Sequence, residues 1–122
     1  MNHFLGNIEK KTLENANYRE VLYTGPMMQL VVMSVPVSEE IGEEIHADHD
    51  QFIRCVAGQG KALLDGTLYD ITNGDAIVVP AGTRHNVINA STTDALKFYT
   101  IYAPPEHKPD TIHPRKSDVT GG

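Results

Sequence analysis

Turn signals divide the sequence into short segments, and this spacing limits most strongly what the chain can fold into. Gly25-Pro26, Asp65-Gly66 and Asn73-Gly74 are typical of tight turns, and Asp65-Gly66 is a strong hairpin signal. The runs between such turns are rich in β-branched, aromatic and long apolar residues, which favour strands. The predicted strands are residues 18–24, 28–36, 51–57, 61–64, 67–71, 75–79, 86–89 and 96–103. Eight or nine strands with turns about every eight to twelve residues predict an all-β sandwich or barrel.

The two ends of the chain differ from this pattern. Ile8 to Ala16 has a weak apolar stripe and is the best helix candidate, although so short a helix is marginal by itself. We therefore predict a lead-in over residues 1–17 and one barrel domain over residues 18–103. Residues 104–122 are predicted to form an extended tail because proline has no amide proton to donate to a β-ladder. The prolines of this segment are Pro104, Pro105, Pro109 and Pro114.

Composition excludes several classes of protein. The 122 residues include 10 Lys and Arg against 16 Asp and Glu, and no basic cluster is present that could neutralise a phosphate backbone. We therefore expect no nucleic-acid partner. The longest apolar runs fall far short of the roughly 20 residues that a membrane-spanning helix needs, so no membrane partner is expected either. Cys55 is the one cysteine, which rules out an internal disulfide, and no export signal is visible; together these predict a cytoplasmic protein.

The segment from Gly74 to Asn89, GDAIVVPAGTRHNVIN, holds the most specific motif. Gly74 is predicted to turn the chain into a buried strand, and Pro80 to end that strand. Gly82 allows a tight reversal with a positive φ, and His85 then opens the next strand. Asn89 is placed to bond nearby backbone. This spacing of glycine, proline, glycine, histidine and asparagine resembles the second signature of the cupin superfamily.

The resemblance extends from about Tyr18 to Ala103 and implies a double-stranded β-helix, the jelly-roll barrel of the cupins. It also implies a metal site inside that barrel. Cupins have a first signature with three ligand positions before a glycine, usually His, His and Glu. With Gly58 as that glycine, the positions fall on Glu44, His46 and Gln51, and the second signature adds His85. The resemblance therefore implies the metal ligands Glu44, His46, Gln51 and His85.

Other ligand sets remain open. Asp48 could join His46 in a shifted register, and Glu44 could be a solvated acid in the acidic run that surrounds it. His49 is a further candidate ligand. On a continuous strand its side chain would point to the opposite face from those of residues 44 and 46, so a turn would have to redirect the His49 side chain to the site. Without such a turn, His49 is a surface residue.

The ligand types indicate which cofactor the site would hold. Imidazole, carboxylate and amide groups suit a divalent ion such as Fe, Mn, Ni, Co or Zn, with positions left for water or substrate. A thiolate zinc site is not expected with a single cysteine. Since Gln51 is neutral, the ion would keep a positive charge. We therefore expect a small-molecule ligand that is anionic and chelating, such as a hydroxy acid, a keto acid or an enediolate.

Two hypotheses for function follow from the resemblance, because cupins include dioxygenases, isomerases, epimerases, decarboxylases and binding modules. The first is a metal-dependent enzyme of isomerase, lyase or dioxygenase type that acts on a small oxygenated metabolite, with Glu44 or His49 moving protons. The second is a non-catalytic module that binds a metal or a metabolite. A degenerate domain without metal is a third reading. The resemblance also implies a homodimer, and the apolar run over residues 27–37 is predicted to be an edge that needs covering.

A few other side chains carry expectations of their own. Cys55 is expected to be a small buried apolar residue rather than a nucleophile. Tyr99 and Tyr102 point to opposite faces of the last predicted strand, so one of them should line the cavity. His107 and His113 are expected to be solvated in the tail. The alternative is that the tail folds over the mouth of the cavity or over a neighbouring subunit.

Overall fold

The computed structural model describes residues 2–119, which contain one short helix, ten strands and a 3-10 turn at Lys116–Asp118. Within these residues no helix is long and apolar enough to cross a membrane. The elements in chain order are α1 (Ile8–Glu14), β1 (Arg19–Thr24), β2 (Gln29–Val35), β3 (Glu44–Ile45), β4 (Asp50–Ala57), β5 (Gln59–Leu64), β6 (Thr67–Thr72), β7 (Ala76–Val79), β8 (Arg84–Asn89), β9 (Leu96–Ala103) and β10 (Ile112–His113).

The strands form two antiparallel sheets with one core between them. The first sheet has the order β10-β1-β2-β9-β4-β7, and the second has the order β3-β8-β5-β6. Burial along β9 alternates from residue to residue, as expected when one face of a strand packs inward and the other does not. Both sheets contribute to the core, whose fully buried members include Val31, Met33, Ile53, Leu96 and Phe98. The predicted all-β, single-domain barrel is confirmed.

The predicted strands and the helix agree with the structure to within two residues at each end. Helix α1 begins after Asn7, whose side chain accepts a hydrogen bond from the backbone amide of Lys10 at 3.0 Å. Strands β3 and β10 were not predicted. Each has only two residues, too few to show the alternation that reveals a strand in a sequence.

Two tight turns occur where the sequence predicts them. Asp65 and Gly66 both have positive φ angles, 47° and 86°, which is the pattern of the hairpin turn that joins β5 to β6. Gly82 has a φ of 86°, a conformation that favours glycine. Its backbone amide donates to the carbonyl of His46 at 2.7 Å. The turn between β7 and β8 is therefore bound to the loop that carries one of the predicted metal ligands.

The apolar run over residues 27–37 is not an exposed edge, and that prediction is wrong. Strand β2 lies between β1 and β9 and pairs with both. Its apolar side chains at Val31, Met33 and Val35 are buried in the core, which accounts for the composition of the run. Residues 27 and 28, in the turn before β2, are exposed. The homodimer stays a prediction without this edge to support it.

The C-terminal segment is extended, but it packs along the barrel. Strand β10 pairs with β1, where His113 lies opposite Arg19 and its ring nitrogen is 3.3 Å from the guanidinium. His107 is partly buried and packs edge-on against Tyr102, with ring centroids 5.1 Å apart. The expectation that His107 and His113 are solvated is therefore wrong. The proline content predicted the lack of a long strand but could not reveal where the segment lies.

Cys55 is buried, as expected, and lies in the core cluster. Burial, assisted by the nearby Asp75 carboxylate, raises the pKa of its thiol to about 11. The thiol therefore stays protonated at neutral pH and behaves as a small apolar group.

Asn89 generates a prediction about stability. Its side-chain amide donates to the carbonyls of Val35 and Asp94, both at 3.0 Å, and its oxygen accepts from the amide of Ser91 at 2.8 Å. We expect Asn89→Ala to lower the free energy of unfolding by about 2–4 kcal/mol because one buried and two partly buried backbone groups lose their partners. Urea denaturation measures this change. The exposed Asn73 provides the control: Asn73→Ala should change the free energy of unfolding by less than about 0.5 kcal/mol, and an equal loss in both variants would contradict the assignment.

Candidate metal centre

Three histidines from two segments meet inside the barrel: His46 and His49 lie in the loop between β3 and β4, and His85 lies in β8. The ring centroids of His46 and His49 are 4.3 Å apart, and those of His46 and His85 are 5.2 Å apart. Two imidazoles that bind one ion at about 2.1 Å have centroids about 4.5–5.5 Å apart. The separation between His46 and His85, which lie 39 positions apart in the chain, therefore suits a shared ion.

Pairing between strands brings the two halves of the predicted site together. Glu44 in β3 lies opposite His85 in β8. The chain then continues to His46, whose carbonyl accepts the hydrogen bond from Gly82 described above. Close by, the amide of Ala81 donates to the Asp50 carboxylate at 2.9 Å. These contacts hold the segment over residues 44–50 against the turn that precedes His85.

His85 is oriented by its own turn. It is buried, and its Nδ1 lies 2.9 Å from the carbonyl oxygen of Thr83. A carbonyl only accepts hydrogen bonds, so Nδ1 carries the proton and Nε2 keeps its lone pair. Nε2 is buried and has no partner among the described residues. Such an arrangement is typical of metal-binding histidines, whose second nitrogen donates to a carbonyl or carboxylate.

Glu44, His46 and His85 together form a group suited to a metal ion. Each offers one ligand atom, and these atoms lie within 4.8 Å of one another. Glu44 Oε2 is 3.8 Å from His46 Nε2, and its side chain is 40% exposed. Burial lowers the pKa of His46, and the Glu44 carboxylate opposes that shift. A lowered pKa favours the neutral imidazole, which is the form that binds metals. The residues present therefore fit a divalent ion.

Gln51 is buried beside β9, and one end of its amide is unpaired. Its Nε2 donates to Thr100 Oγ1 at 3.0 Å, while Oε1 has no partner among the described residues. A buried acceptor without a partner costs about 1–3 kcal/mol, so this oxygen is available to a ligand. The role of Gln51 as a metal ligand stays a prediction.

Asp48, the ligand of the shifted register, has a side chain that is 93% exposed.

His49 belongs to a second group that shares His46 with the first. The chain bends at residues 47 and 48, and this bend brings His49 inside, where its side chain is only 3% exposed. The surface interpretation of His49 is therefore wrong. Glu106 Oε2 lies 3.1 Å from His49 Nδ1 and 3.9 Å from His46 Nδ1. Ligand atoms of His46, His49 and Glu106 also lie within 4.8 Å of one another.

Sequence reasoning missed Glu106. It lies in the proline-rich segment after β9, where no strand pattern connects it to the histidines. The one signal available was the segment YAPPEH, residues 102–107, which places a carboxylate and an imidazole directly after the last barrel strand. Only the path of the backbone back over the barrel shows that the carboxylate reaches the site.

Tyr102, and not Tyr99, is the tyrosine of the last strand that lines the site. Its ring packs edge-on against His49 and His46, with centroids 5.5 and 6.2 Å apart. Burial raises the pKa of its hydroxyl far above the ordinary value, so the group stays protonated. Tyr99 lies on the other face and packs near Phe52.

Comparisons with known proteins agree with this architecture. The family model described as Cupin domain matches residues 31–102. An uncharacterized protein of Acanthamoeba polyphaga mimivirus is 45% identical over 97% of this chain and 76% of its own length. The uncharacterized protein YrkC of Bacillus subtilis is 42% identical over 95% of this chain and 65% of its own length. A crystal structure from Bacillus halodurans has a TM-score of 0.92 and 40% identity, covering 94% of this chain and 91% of that one.

One more distant relative has a named activity. Quercetin 2,3-dioxygenase of Bacillus subtilis is 30% identical over 64% of this chain. The matched region is 23% of that enzyme's length.

His107 generates a prediction about pH. Burial, with a smaller effect of the Arg19 guanidinium, lowers its pKa from 6.5 to about 3. The unfolded chain binds a proton near pH 6.5, whereas the folded chain does so only near pH 3. The free energy of unfolding should therefore be fully retained above about pH 6.5 and should decrease as the pH falls from there toward 3.

Urea midpoints at pH 7.5 and 5.0, measured with a chelator present, test this linkage. His107→Gln should show a smaller decrease between the two pH values than the wild type does. The exposed His3 is the control, since His3→Gln should keep the wild-type decrease. Equal decreases in all three proteins would show that His107 is protonated equally in the folded and unfolded states.

Proposed function

This chain belongs to the cupin family, and on that premise we propose that it is a metal-dependent enzyme for a small oxygenated metabolite. One divalent ion, of Fe, Mn, Ni, Co or Zn, would be held by Glu44, His46 and His85, with Gln51 as a further ligand. The observation that carries the proposal is that ligand atoms of Glu44, His46 and His85 lie within 4.8 Å of one another, with His85 Nε2 buried and unpartnered among the residues that the structure describes. Three residues from two signatures each offer one ligand atom, and these atoms lie close enough together to share one divalent ion.

The charge of the ligand set indicates the class of substrate. Glu44 supplies one negative charge, and two imidazoles and an amide supply none. A divalent ion held by these ligands keeps a positive charge, so the substrate is a chelating anion such as a hydroxy acid, a keto acid or an enediolate. Isothermal titration of the metal-loaded protein with such anions gives heat if this is correct and none if it is not.

The bound ion supplies Lewis-acid polarisation of a carbonyl or hydroxyl, or oxygen chemistry if it is iron. The residues around it handle protons. His49 Nε2 is buried and has no hydrogen-bond partner within residues 2–119, so it is available to accept a proton from a substrate C–H or O–H bond, whose electron pair remains on the substrate. The Glu106 carboxylate beside Nδ1 stabilises the imidazolium that results. Tyr102 stays protonated and packs against the ring of His49, which limits access of water from that side.

A non-catalytic binding module is the second candidate function, and Gln51 is the observation that favours it. Cupins usually have a glutamate at this position, and a neutral amide is a weaker ligand. Here the amide nitrogen of Gln51 is also engaged by Thr100. A site with weak ligands suits reversible capture of a metal or a metabolite.

Metal analysis of His85→Ala tests the metal site. Protein purified without chelators should contain about one divalent ion per chain, and His85→Ala should lower the affinity for added Co²⁺ at least about 100-fold because a ligand is lost. The exposed His3→Ala serves as the matched control and should keep wild-type metal content. Circular dichroism establishes that both variants are folded. Metal content that is unaffected by His85→Ala would overturn the site.

Turnover separates the two candidate functions. The metal-loaded protein is screened against keto acids, aldoses and catechols, in air and under argon. Turnover in both atmospheres identifies an isomerase or lyase, and turnover in air alone identifies a dioxygenase, the activity for which the Bacillus subtilis relative is named. Binding heat without turnover would reject the enzyme in favour of the binding module.

A further inference from the structure

We propose that Glu106 is a positioning residue that holds His49 as the Nδ1–H tautomer and leaves Nε2 as an unprotonated acceptor. The inference deepens the proposed function, because it assigns the C-terminal segment a part in the proton-transfer step. It rests on the contacts of His49, on the contacts of Gln29 and on the packing of Tyr102.

The contact between Glu106 and His49 determines the tautomer. Oε2 of Glu106 is 3.1 Å from Nδ1 of His49. If Nδ1 carried a lone pair, its negative charge density would lie 3.1 Å from a carboxylate oxygen and the two would repel each other. A proton on Nδ1 turns the repulsion into attraction. Neutral imidazole in water prefers to carry its proton on Nε2, so the carboxylate reverses the ordinary preference.

Asp48 is the other carboxylate near this nitrogen, and it is a weaker partner. Its Oδ1 lies 3.5 Å from His49 Nδ1, and its side chain is 93% exposed, so water screens the charge. The Glu106 side chain is 34% exposed and also reaches toward His46 Nδ1. Of the two carboxylates, Glu106 therefore has the stronger effect on His49.

Gln29 fixes the backbone that carries Glu106. This residue is fully buried on β2, and both ends of its amide are paired. Its Oε1 accepts from the amides of Glu106 and His107 at 3.3 and 2.9 Å, and its Nε2 donates to the carbonyl of His107 at 2.7 Å and to Thr24 Oγ1 at 2.9 Å. A single side chain thus binds residues 106–107 as a neighbouring strand would. A buried, fully paired amide holds its partners firmly because any displacement leaves polar groups without hydrogen bonds.

Tyr102 packs against the ring of His49 and restricts its position. Its ring lies edge-on between His49 and His107, at centroid distances of 5.5 and 5.1 Å. Both interplanar angles are near 85°, which is a favourable packing of aromatic edges on faces. The ring of His49 is therefore confined by Tyr102 while its Nδ1 is held near Glu106. Nε2 remains buried, and no residue in the described part of the chain bonds to it, which marks it as the atom available to a ligand.

The test reads the tautomer directly in metal-free protein at pH 8.5. Nitrogen-15 NMR distinguishes a protonated from an unprotonated ring nitrogen, and the resonance of His49 is assigned by its loss in His49→Gln. In the wild type the proton should reside on Nδ1. Glu106→Ala should move most of the population to Nε2–H. Glu106→Gln keeps an acceptor oxygen and should retain the Nδ1–H form at least in part.

Two further variants separate positioning from general effects. Asp48→Ala also removes a carboxylate near Nδ1 and should leave the tautomer unchanged. Gln29→Met removes the hydrogen bonds to residues 106–107 without touching His49 and should shift the tautomer as Glu106→Ala does. If Gln29→Met is unfolded, the comparison between Glu106→Ala and Asp48→Ala decides whether Glu106 determines the tautomer of His49. A wild-type tautomer in Glu106→Ala, or an equal shift in Asp48→Ala, would overturn the proposal.

Metal affinity distinguishes a positioning residue from a ligand. Titration of Glu106→Ala with Co²⁺ should give a dissociation constant within about tenfold of the wild type and the same visible absorption bands. His85→Ala, in contrast, should lose most of its affinity for Co²⁺. Altered bands in Glu106→Ala would make Glu106 a ligand and reject the positioning role. The tautomer is read without metal, so a failure of the metal site would leave the NMR result standing, and the two proposals fail separately.

Discussion

The site depends on the attachment of one loop to one turn. The amide of Gly82 donates to the carbonyl of His46, and Glu44 pairs across the sheet with His85. Through these contacts a segment from the first half of the chain and a segment from the second half become neighbours. Backbone hydrogen bonds set this arrangement, so the identity of the surrounding side chains can change without moving the imidazoles apart. Family members with different chemistry can share such a scaffold for this reason.

Most of the fold was predictable because its signals are local. Turn dipeptides and strand alternation need only a few adjacent residues, and the motif around Pro80 and Gly82 fixed the superfamily. The edge assignment of β2 failed for a physical reason. An apolar run indicates burial, but whether a neighbouring strand or a second subunit buries it depends on pairing between residues far apart in sequence, such as Met33 with Phe98.

The candidate site was predictable in part for the same reason. His46 and His85 were found through the spacing of their signatures. The orientation of His49 depends on a bend at residues 47 and 48, and a bend of two residues leaves no reliable mark in a sequence. Glu106 could not be assigned at all, because its place is determined by hydrogen bonds with Gln29, 77 positions earlier in the chain. Hydrogen bonds between single residues far apart in the chain produce no periodic pattern that a sequence could reveal.

The hydrogen bonds of Gln29 have a consequence for how members of this family are compared. The family model ends at residue 102, whereas the carboxylate beside His49 lies four residues beyond that boundary. Two proteins could therefore agree at every barrel position and still differ in the group that faces this imidazole. An alignment that continues past the last strand, and that also compares the Gln29 position on β2, would distinguish such proteins by the chemistry of their sites. The barrel alone distinguishes them only by shape.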